Sequence, residues 1–216
     1  MNANQYAYLK KDNVNFENIL REDLVFTQKH FESKKDAILF LAEQPKEKGY
    51  VYEIFTNAVV EREEKYPTGL YLGEINVAIP YTETKHVKQS GMAILTLNKS
   101  VILNRMDDPS QTILIHIIFL LAVAELNEYI KFLPKFMDNL PNKKVVKRIY
   151  NGKIGILRVL SLAVNKGIAK KEGFYWKLRR LIGTIFYWMI VTSSPKNCKY
   201  AENYSYCSLV RSITCL

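Results

Sequence analysis

A long apolar run, TILIHIIFLLAV, occupies residues 112–123 and is rich in isoleucine and leucine. A strand that is buried on both faces carries apolar side chains at nearly every position, and this run has that pattern. It is much shorter than the roughly 20 residues that a membrane-spanning helix needs. A second apolar run, residues 181–191, is also too short to span a membrane. Residues 112–123 therefore predict a buried strand, around which the rest of the domain must pack.

Strand-like and helical segments alternate before residue 151, which predicts an α/β fold. Apolar runs predict strands at residues 24–26, 75–79, 92–97 and 112–123, and helical patterns cover residues 34–49, 51–65, 125–140 and 142–150. In the first helix, Ser33 is the predicted N-cap and Gly49 the predicted end. Pro45 and Pro134 lie inside two of these helices, where a proline costs about 3 kcal/mol or ends the helix early.

The second predicted helix, residues 51–65, has an apolar face. We expect Ile54, Ala58 and Val59 to point towards the core. Thr82 is predicted to cap a short helix that begins at His86, since threonine is a common N-cap residue.

Positive charge is concentrated in the C-terminal part of the chain. The net charge is +10, but residues 152–216 carry 11 Lys and Arg against 2 acidic residues, which leaves the preceding part almost neutral. The overall charge is thus no argument for a nucleic-acid partner of the folded domain. All three cysteines lie in the same C-terminal part, without zinc-site spacing, and we expect a cytoplasmic protein with reduced thiols. No metal or cofactor motif is present in the sequence, and none is expected to bind.

Three segments, in order, carry a family resemblance. They are residues 47–51 (EKGYV), 61–70 (EREEKYPTGL) and 76–87 (NVAIPYTETKHV), with weaker agreement at 106–108 and 117–122. Together they resemble the EIIA type-2 component, of the fructose, mannitol and galactitol class, of the bacterial phosphoenolpyruvate-dependent sugar phosphotransferase system. The resemblance covers roughly residues 10–151. It implies a domain at 1–151 with a mixed β-sheet flanked by helices on both faces, followed by an unassigned tail at 152–216.

The resemblance also implies a chemistry. In the family, a histidine after Ile-Pro accepts a phosphoryl group from phospho-HPr and passes it to EIIB, and here that position is Tyr81. An imidazole is nucleophilic near neutral pH, whereas a phenol with a pKa of about 10 is almost entirely protonated there. Arg62 matches the arginine that stabilises the phosphoryl oxygens, although its three flanking glutamates also fit a surface ion pair. The second family histidine falls on Leu126 or Asn127. The resemblance thus implies a phosphotransferase component that Tyr81 makes inactive as a phosphocarrier.

Three histidines are present elsewhere. His86, five residues after Tyr81, is either a surface residue at a helix start or a substitute acceptor. His116, inside the apolar run, is interpreted as a core histidine with its hydrogen bonds satisfied. His30 shows no partner in the sequence pattern and is interpreted as a structural or solvent-exposed residue.

The tail, residues 152–216, matches no family. It contains both tryptophans and a basic segment followed by an apolar one, KLRRLIGTIFYWMIV. Four interpretations stay open: a frameshift or read-through product, a segment that contacts anionic membranes, an additional helix pair, and a nucleic-acid patch.

Three hypotheses for the function follow. The chain is a phosphocarrier with an unexpected acceptor such as His86, a phosphoryl-dead regulatory protein that binds the system's partners, or a membrane-surface protein through its basic tail. The expected partners are HPr and EIIB, and the membrane is reached indirectly through the transporter or weakly through the tail.

Overall fold

The structure, a computed structural model, describes residues 19–152, 155 and 156 of the 216-residue chain, excluding the side chains of residues 126, 127 and 129–131. The elements are β1 (Leu20–Lys29), α1 (Lys34–Glu47), α2 (Phe55–Lys65), β2 (Gly69–Leu70), β3 (Asn76–Ala78), a 3-10 helix (Thr84–His86), β4 (Gly91–Asn104), β5 (Thr112–Ala122), α3 (Leu126–Asn139) and α4 (Lys143–Asn151). The strands form one sheet in the order β1-β4-β5-β3-β2. β1–β4 and β3–β5 are parallel pairs, whereas β4–β5 and β2–β3 are antiparallel. The predicted α/β class with a mixed sheet is confirmed.

The apolar run forms β5, the middle strand of the sheet, and is covered on both faces. Ile118 and Leu120 face a core that contains Leu41 of α1 and Phe55 of α2. Phe119 faces the other way and meets Phe136 of α3 edge to face, with 5.1 Å between ring centroids. This double burial explains why the strand lacks the polar alternation of a half-exposed strand. Within the described residues, no helix has both the length and the apolar character needed to cross a membrane.

Helix α1 begins and ends where the sequence predicts. The Ser33 hydroxyl accepts a hydrogen bond from the Asp36 backbone N–H at 3.1 Å, and Gly49 follows the helix with φ of 74°. Pro45 does not end the helix early, because α1 continues to Glu47 and the proline ring is buried. Helix α3 likewise continues through Pro134. Neither proline interrupts its helix in this fold.

The second helix begins later than predicted. Val51 pairs with Val87 in an isolated β-bridge, so α2 starts only at Phe55. The expectation that Ile54 points inward is wrong, since its side chain is 56% exposed. The expectation for Val59 is confirmed, since it is buried, and the inward face is completed by Phe55 and Glu63, each four residues from Val59. Strand-like pairing at Val51 therefore delays the start of the helix.

Candidate functional site

The fold brings Tyr81 and Arg62 together. Tyr81 follows β3 and Pro80, and it lies beside β5 through an isolated bridge to Leu121. Arg62 lies in the last turn of α2. Its Nη2 donates a hydrogen bond to the Tyr81 hydroxyl at 2.5 Å. The guanidinium carbon also lies 4.1 Å from the centroid of the Tyr81 ring, within the range of a cation–π contact.

The surroundings keep the Tyr81 phenol neutral. Its side chain is buried, with 5% of the residue exposed. Burial raises the pKa of Tyr81, and the nearby Arg62 charge opposes this rise without overcoming it. The hydroxyl therefore accepts the arginine hydrogen bond as a protonated phenol, and it is a weak nucleophile at neutral pH.

Arg62 has binding capacity beyond Tyr81. Its Nε is buried and has no hydrogen-bond acceptor among the described residues. The Tyr66 ring lies on another side of the guanidinium, with 5.6 Å from the guanidinium carbon to the ring centroid. A forked guanidinium is suited to bind a phosphoryl group through its N–H donors. Arg62 contacts Tyr81 in the fold, which differs from the surface ion pair that its glutamate neighbours suggested.

Glu63 connects the helix to the strand that leads to Tyr81. Its carboxylate accepts hydrogen bonds from the Thr68 backbone N–H at 2.9 Å and from the Thr68 hydroxyl at 2.7 Å. The Thr68 hydroxyl oxygen in turn accepts the Ile79 backbone N–H at 3.1 Å. Ile79 lies two residues before Tyr81, so this chain of hydrogen bonds fixes the backbone that presents residue 81.

Glu63 is almost completely buried, with 4% of the residue exposed. Burial raises its pKa to about 7, although the Thr68 hydrogen bonds and the charges of Lys34 and Arg62 act in the opposite direction. Sequence reasoning missed this residue because it stands in the charged run EREEK. The four-residue spacing from Phe55 and Val59 was the signal that could have identified it.

Gly69 closes the turn between α2 and β2 by a close backbone approach. A Cβ at this position would lie 2.5 Å from the Asn104 carbonyl oxygen. The Gly69 carbonyl also accepts a hydrogen bond from the Met106 backbone N–H at 2.8 Å. The glycine therefore allows the Thr68 turn to lie against the end of β4.

His86 is not placed as predicted. It ends the 3-10 helix rather than beginning one, and Thr82 does not cap that helix, because Glu83 is at the N-cap position without a side-chain cap bond. Partial burial and the Lys85 charge lower the pKa of His86, which favours a neutral imidazole. Within the described part of the chain, no hydrogen bond joins this imidazole to Arg62 or Tyr81.

The other two histidines have structural contacts. His116 is half-buried in β5, and its Nδ1 accepts the Asn76 backbone N–H at 3.2 Å. His30, predicted to have no partner, lies 2.7 Å from the Glu32 carboxylate and 3.3 Å from the Asn98 side-chain oxygen. The second family-histidine position, 126 or 127, falls among the side chains that are not described.

Residues 18–161 match the family model of the phosphoenolpyruvate-dependent sugar phosphotransferase system, EIIA 2. The galactitol-specific EIIA component of Escherichia coli K12 is 24% identical over 119 residues, which cover 55% of this chain and 79% of that protein. Enzyme IIAMTL of Escherichia coli, solved in complex with phosphorylated enzyme IIBMTL, has a TM-score of 0.55 at 21% identity, covering 66% of this chain and 99% of that one. Nitrogen regulatory protein IIA-Ntr of Neisseria meningitidis has a TM-score of 0.53 at 20% identity, covering 66% and 96%. The two structures share the fold described above.

Proposed function

The chain belongs to the EIIA 2 family of the phosphoenolpyruvate-dependent sugar phosphotransferase system, and from this premise we propose that it is an EIIA-like component whose phosphoryl relay is blocked at Tyr81. The observation that carries the proposal is the hydrogen bond of 2.5 Å between the Arg62 guanidinium and the Tyr81 hydroxyl. Tyr81 stands in the position of the family's acceptor histidine, and Arg62 in that of its phosphate-stabilising arginine.

A phosphoryl relay through this position needs a group that is a good nucleophile and, once phosphorylated, a good phosphoryl donor. An imidazole nitrogen attacks phosphorus in its neutral form and yields a phosphoramidate, which readily passes its phosphoryl group onward. A buried phenol with a raised pKa is a poor nucleophile. Its phosphate ester would also be a poorer onward donor than a phosphoramidate. Tyr81 therefore blocks the relay in two ways.

The arginine contributes to the block. In phosphoryl transfer, a guanidinium stabilises the negative charge that spreads over the equatorial oxygens. Here the Arg62 Nη2 already donates to the phenol oxygen, and the guanidinium lies over the phenol ring. A phosphoryl group arriving at this site would have to compete with both contacts.

HPr and EIIB are the partners that we propose for this chain, in the cytoplasm. A relative of this chain has been solved with its phosphorylated EIIB partner, in the mannitol system of Escherichia coli. If the docking surface has been kept while the acceptor has been lost, the chain acts as a phosphoryl-dead regulatory protein that competes for these partners. The alternatives, a relay through His86 and a membrane-surface role of the basic tail, give different results in the experiments below.

We propose that the EIIA-like domain comprises residues 1–151 and that residues 152–216 are a separate segment. Helix α4 ends at Asn151, in support of this boundary. The family match continues for ten more residues, to 161. The predictions made for the tail concern residues that, apart from 152, 155 and 156, lie outside the described part of the chain.

A phosphorylation assay tests the proposal. The purified protein and the Tyr81→His variant are each incubated with radiolabelled phosphoenolpyruvate, enzyme I and HPr. We expect label only on Tyr81→His, and we expect that label to be lost in acid, as a phosphoramidate is. Tyr71→His is the matched control, because Tyr71 is an exposed tyrosine, 56% accessible, on the loop after β2.

Acid-labile label on the unaltered chain would overturn the proposal, and loss of that label in His86→Gln would then identify His86 as the acceptor. Binding of unphosphorylated EIIB to the unaltered chain separates the regulatory role from complete loss of function. Titration calorimetry measures this binding without any phosphoryl donor.

A further inference from the structure

Helix α4 presents a face of cations to solvent. Lys143, Lys144, Lys147 and Arg148 are all exposed, whereas Val146 and Ile149 on the opposite side are buried. The spacing i, i+1, i+4, i+5 places the four cations on one side of the helix. The helix contains no acidic residue. It is therefore divided into an apolar side that packs on the domain and a basic side that faces outward.

The basic side is poorly compensated by the rest of the domain. Lys147 lies 3.6 Å from the Glu74 carboxylate, but both side chains are mostly exposed, at 60% and 73%. No carboxylate in the described part of the chain forms an ion pair with Lys143, Lys144 or Arg148. The Lys147–Glu74 pair is exposed, and exposed ion pairs are weak and screened by salt. Among the described residues, most of the positive charge of this face is therefore uncompensated.

The sequence after α4 continues the same charge. Residues 152–216 carry 11 Lys and Arg against 2 acidic residues, with the apolar and aromatic run LIGTIFYWMIV at 181–191. Basic residues next to aromatic and apolar ones are the composition of segments that bind the interface of anionic bilayers. Nucleic acid would bind the same cations, but it has no apolar phase that could accommodate the eleven-residue apolar run at 181–191.

We propose that the basic face of α4 binds the surface of anionic phospholipid membranes. Lysine and arginine side chains near such a surface are attracted by its negative potential, and the attraction falls off within a Debye length. The surface lies on a different element from Arg62 and Tyr81, so this inference stands or falls separately from the phosphoryl-transfer proposal.

Sedimentation with lipid vesicles tests the inference on the full chain. The probes are vesicles of phosphatidylcholine alone and of phosphatidylcholine with phosphatidylglycerol. The test variant replaces the four cations of α4 by glutamine: Lys143→Gln, Lys144→Gln, Lys147→Gln and Arg148→Gln. The control variant removes the same charge from exposed lysines outside α4: Lys29→Gln, Lys35→Gln, Lys65→Gln and Lys88→Gln.

We expect the unaltered chain and the control variant to bind anionic vesicles and to release them at high salt, and neither to bind phosphatidylcholine alone. The α4 variant should bind anionic vesicles at least about tenfold more weakly. Far-UV circular dichroism verifies that the variants fold. If the quadruple variant does not fold, the pairs Lys143→Gln/Lys144→Gln and Lys147→Gln/Arg148→Gln replace it, and each should weaken binding.

Four results would overturn the inference. Equal binding of the α4 variant and the unaltered chain would assign membrane contact to other residues, such as the tail. Absence of binding to anionic vesicles, or equal binding to both vesicle types, would exclude an electrostatic membrane surface. Tighter binding to a DNA duplex than to anionic vesicles at the same salt would point to nucleic acid instead.

Discussion

Replacement of the buried Glu63 by glutamine should make the protein more stable at neutral and basic pH. The Glu63 carboxyl lies against Thr68, which it contacts through both oxygens. A glutamine has nearly the same shape and can accept the Thr68 backbone N–H through its side-chain oxygen. It cannot ionise, so the variant avoids placing a negative charge in the protein interior.

The magnitude follows from the pKa of the carboxyl. Burial raises the pKa of Glu63 from its ordinary value of 4.5 to about 7. Between these values the folded protein retains a proton that the unfolded chain releases. The resulting stabilisation is therefore fully present below the pKa that Glu63 has in the unfolded chain. It is lost as the pH rises through the pKa that Glu63 has in the folded protein. At 1.36 kcal/mol per pKa unit, the unaltered protein should lose about 2.5 kcal/mol relative to Glu63→Gln between pH 5 and pH 8.

Urea unfolding, followed by far-UV circular dichroism at several pH values, measures this difference. Comparing the two proteins at each pH cancels the titration of the histidines, which both contain. Glu64→Gln is the matched control, because Glu64 is the next residue and its side chain is exposed, so that this variant removes a carboxylate without changing the protein interior. A stability difference for Glu63→Gln that stays constant, or that shrinks as the pH rises, would refute the reasoning.

Substitutions at two further positions test contacts near the site and on α4. Gly69→Ala would place a Cβ 2.5 Å from the Asn104 carbonyl oxygen, and urea unfolding should show a loss of about 1–3 kcal/mol; an unchanged midpoint would show that the two backbone segments move apart easily. Asn142→Ala removes the side chain that accepts two backbone N–H groups in the first turn of α4. It should lower the free energy of unfolding by about 1 kcal/mol in the same assay, whereas Asn142→Ser should retain most of the stability. Equal loss in both Asn142 variants would contradict a capping role.

The sequence predicted the central strand of the sheet, β5, more accurately than the end of its neighbour β4. Strand β5 extends over Thr112–Ala122, almost as expected, because a strand covered on both faces is apolar at nearly every position. Strand β4 was predicted only up to Leu97, yet it continues to Asn104. The polar residues 98–100 interrupt the apolar pattern where the pairing with β5 shifts register, between Thr96 and Val101. The polar residues interrupt the burial pattern while the strand continues, and Val101 and Leu103 are buried again beyond them.

The candidate site could be predicted from the family resemblance but not from spacing. Arg62 and Tyr81 are 19 residues apart on a helix and a loop, and only the tertiary fold brings their side chains into contact. Glu63 was overlooked for a different reason. Charged residues are rarely buried, so a glutamate in the run EREEK is expected at the surface. Its burial depends on Thr68, which supplies both hydrogen bonds and is five residues away.

Two separate sets of contacts shape the environment of residue 81. One set passes from Glu63 through Thr68 to the Ile79 backbone, and it does not involve the side chain at position 81. The other is the contact of Arg62 with the Tyr81 hydroxyl and ring. A change of the side chain at residue 81 removes the second set and leaves the first set, which fixes the backbone through main-chain and Thr68 hydrogen bonds. The backbone at residue 81 can therefore stay in place when the phenol is replaced by an imidazole, which is why a single substitution, Tyr81→His, is expected to restore phosphoryl acceptance.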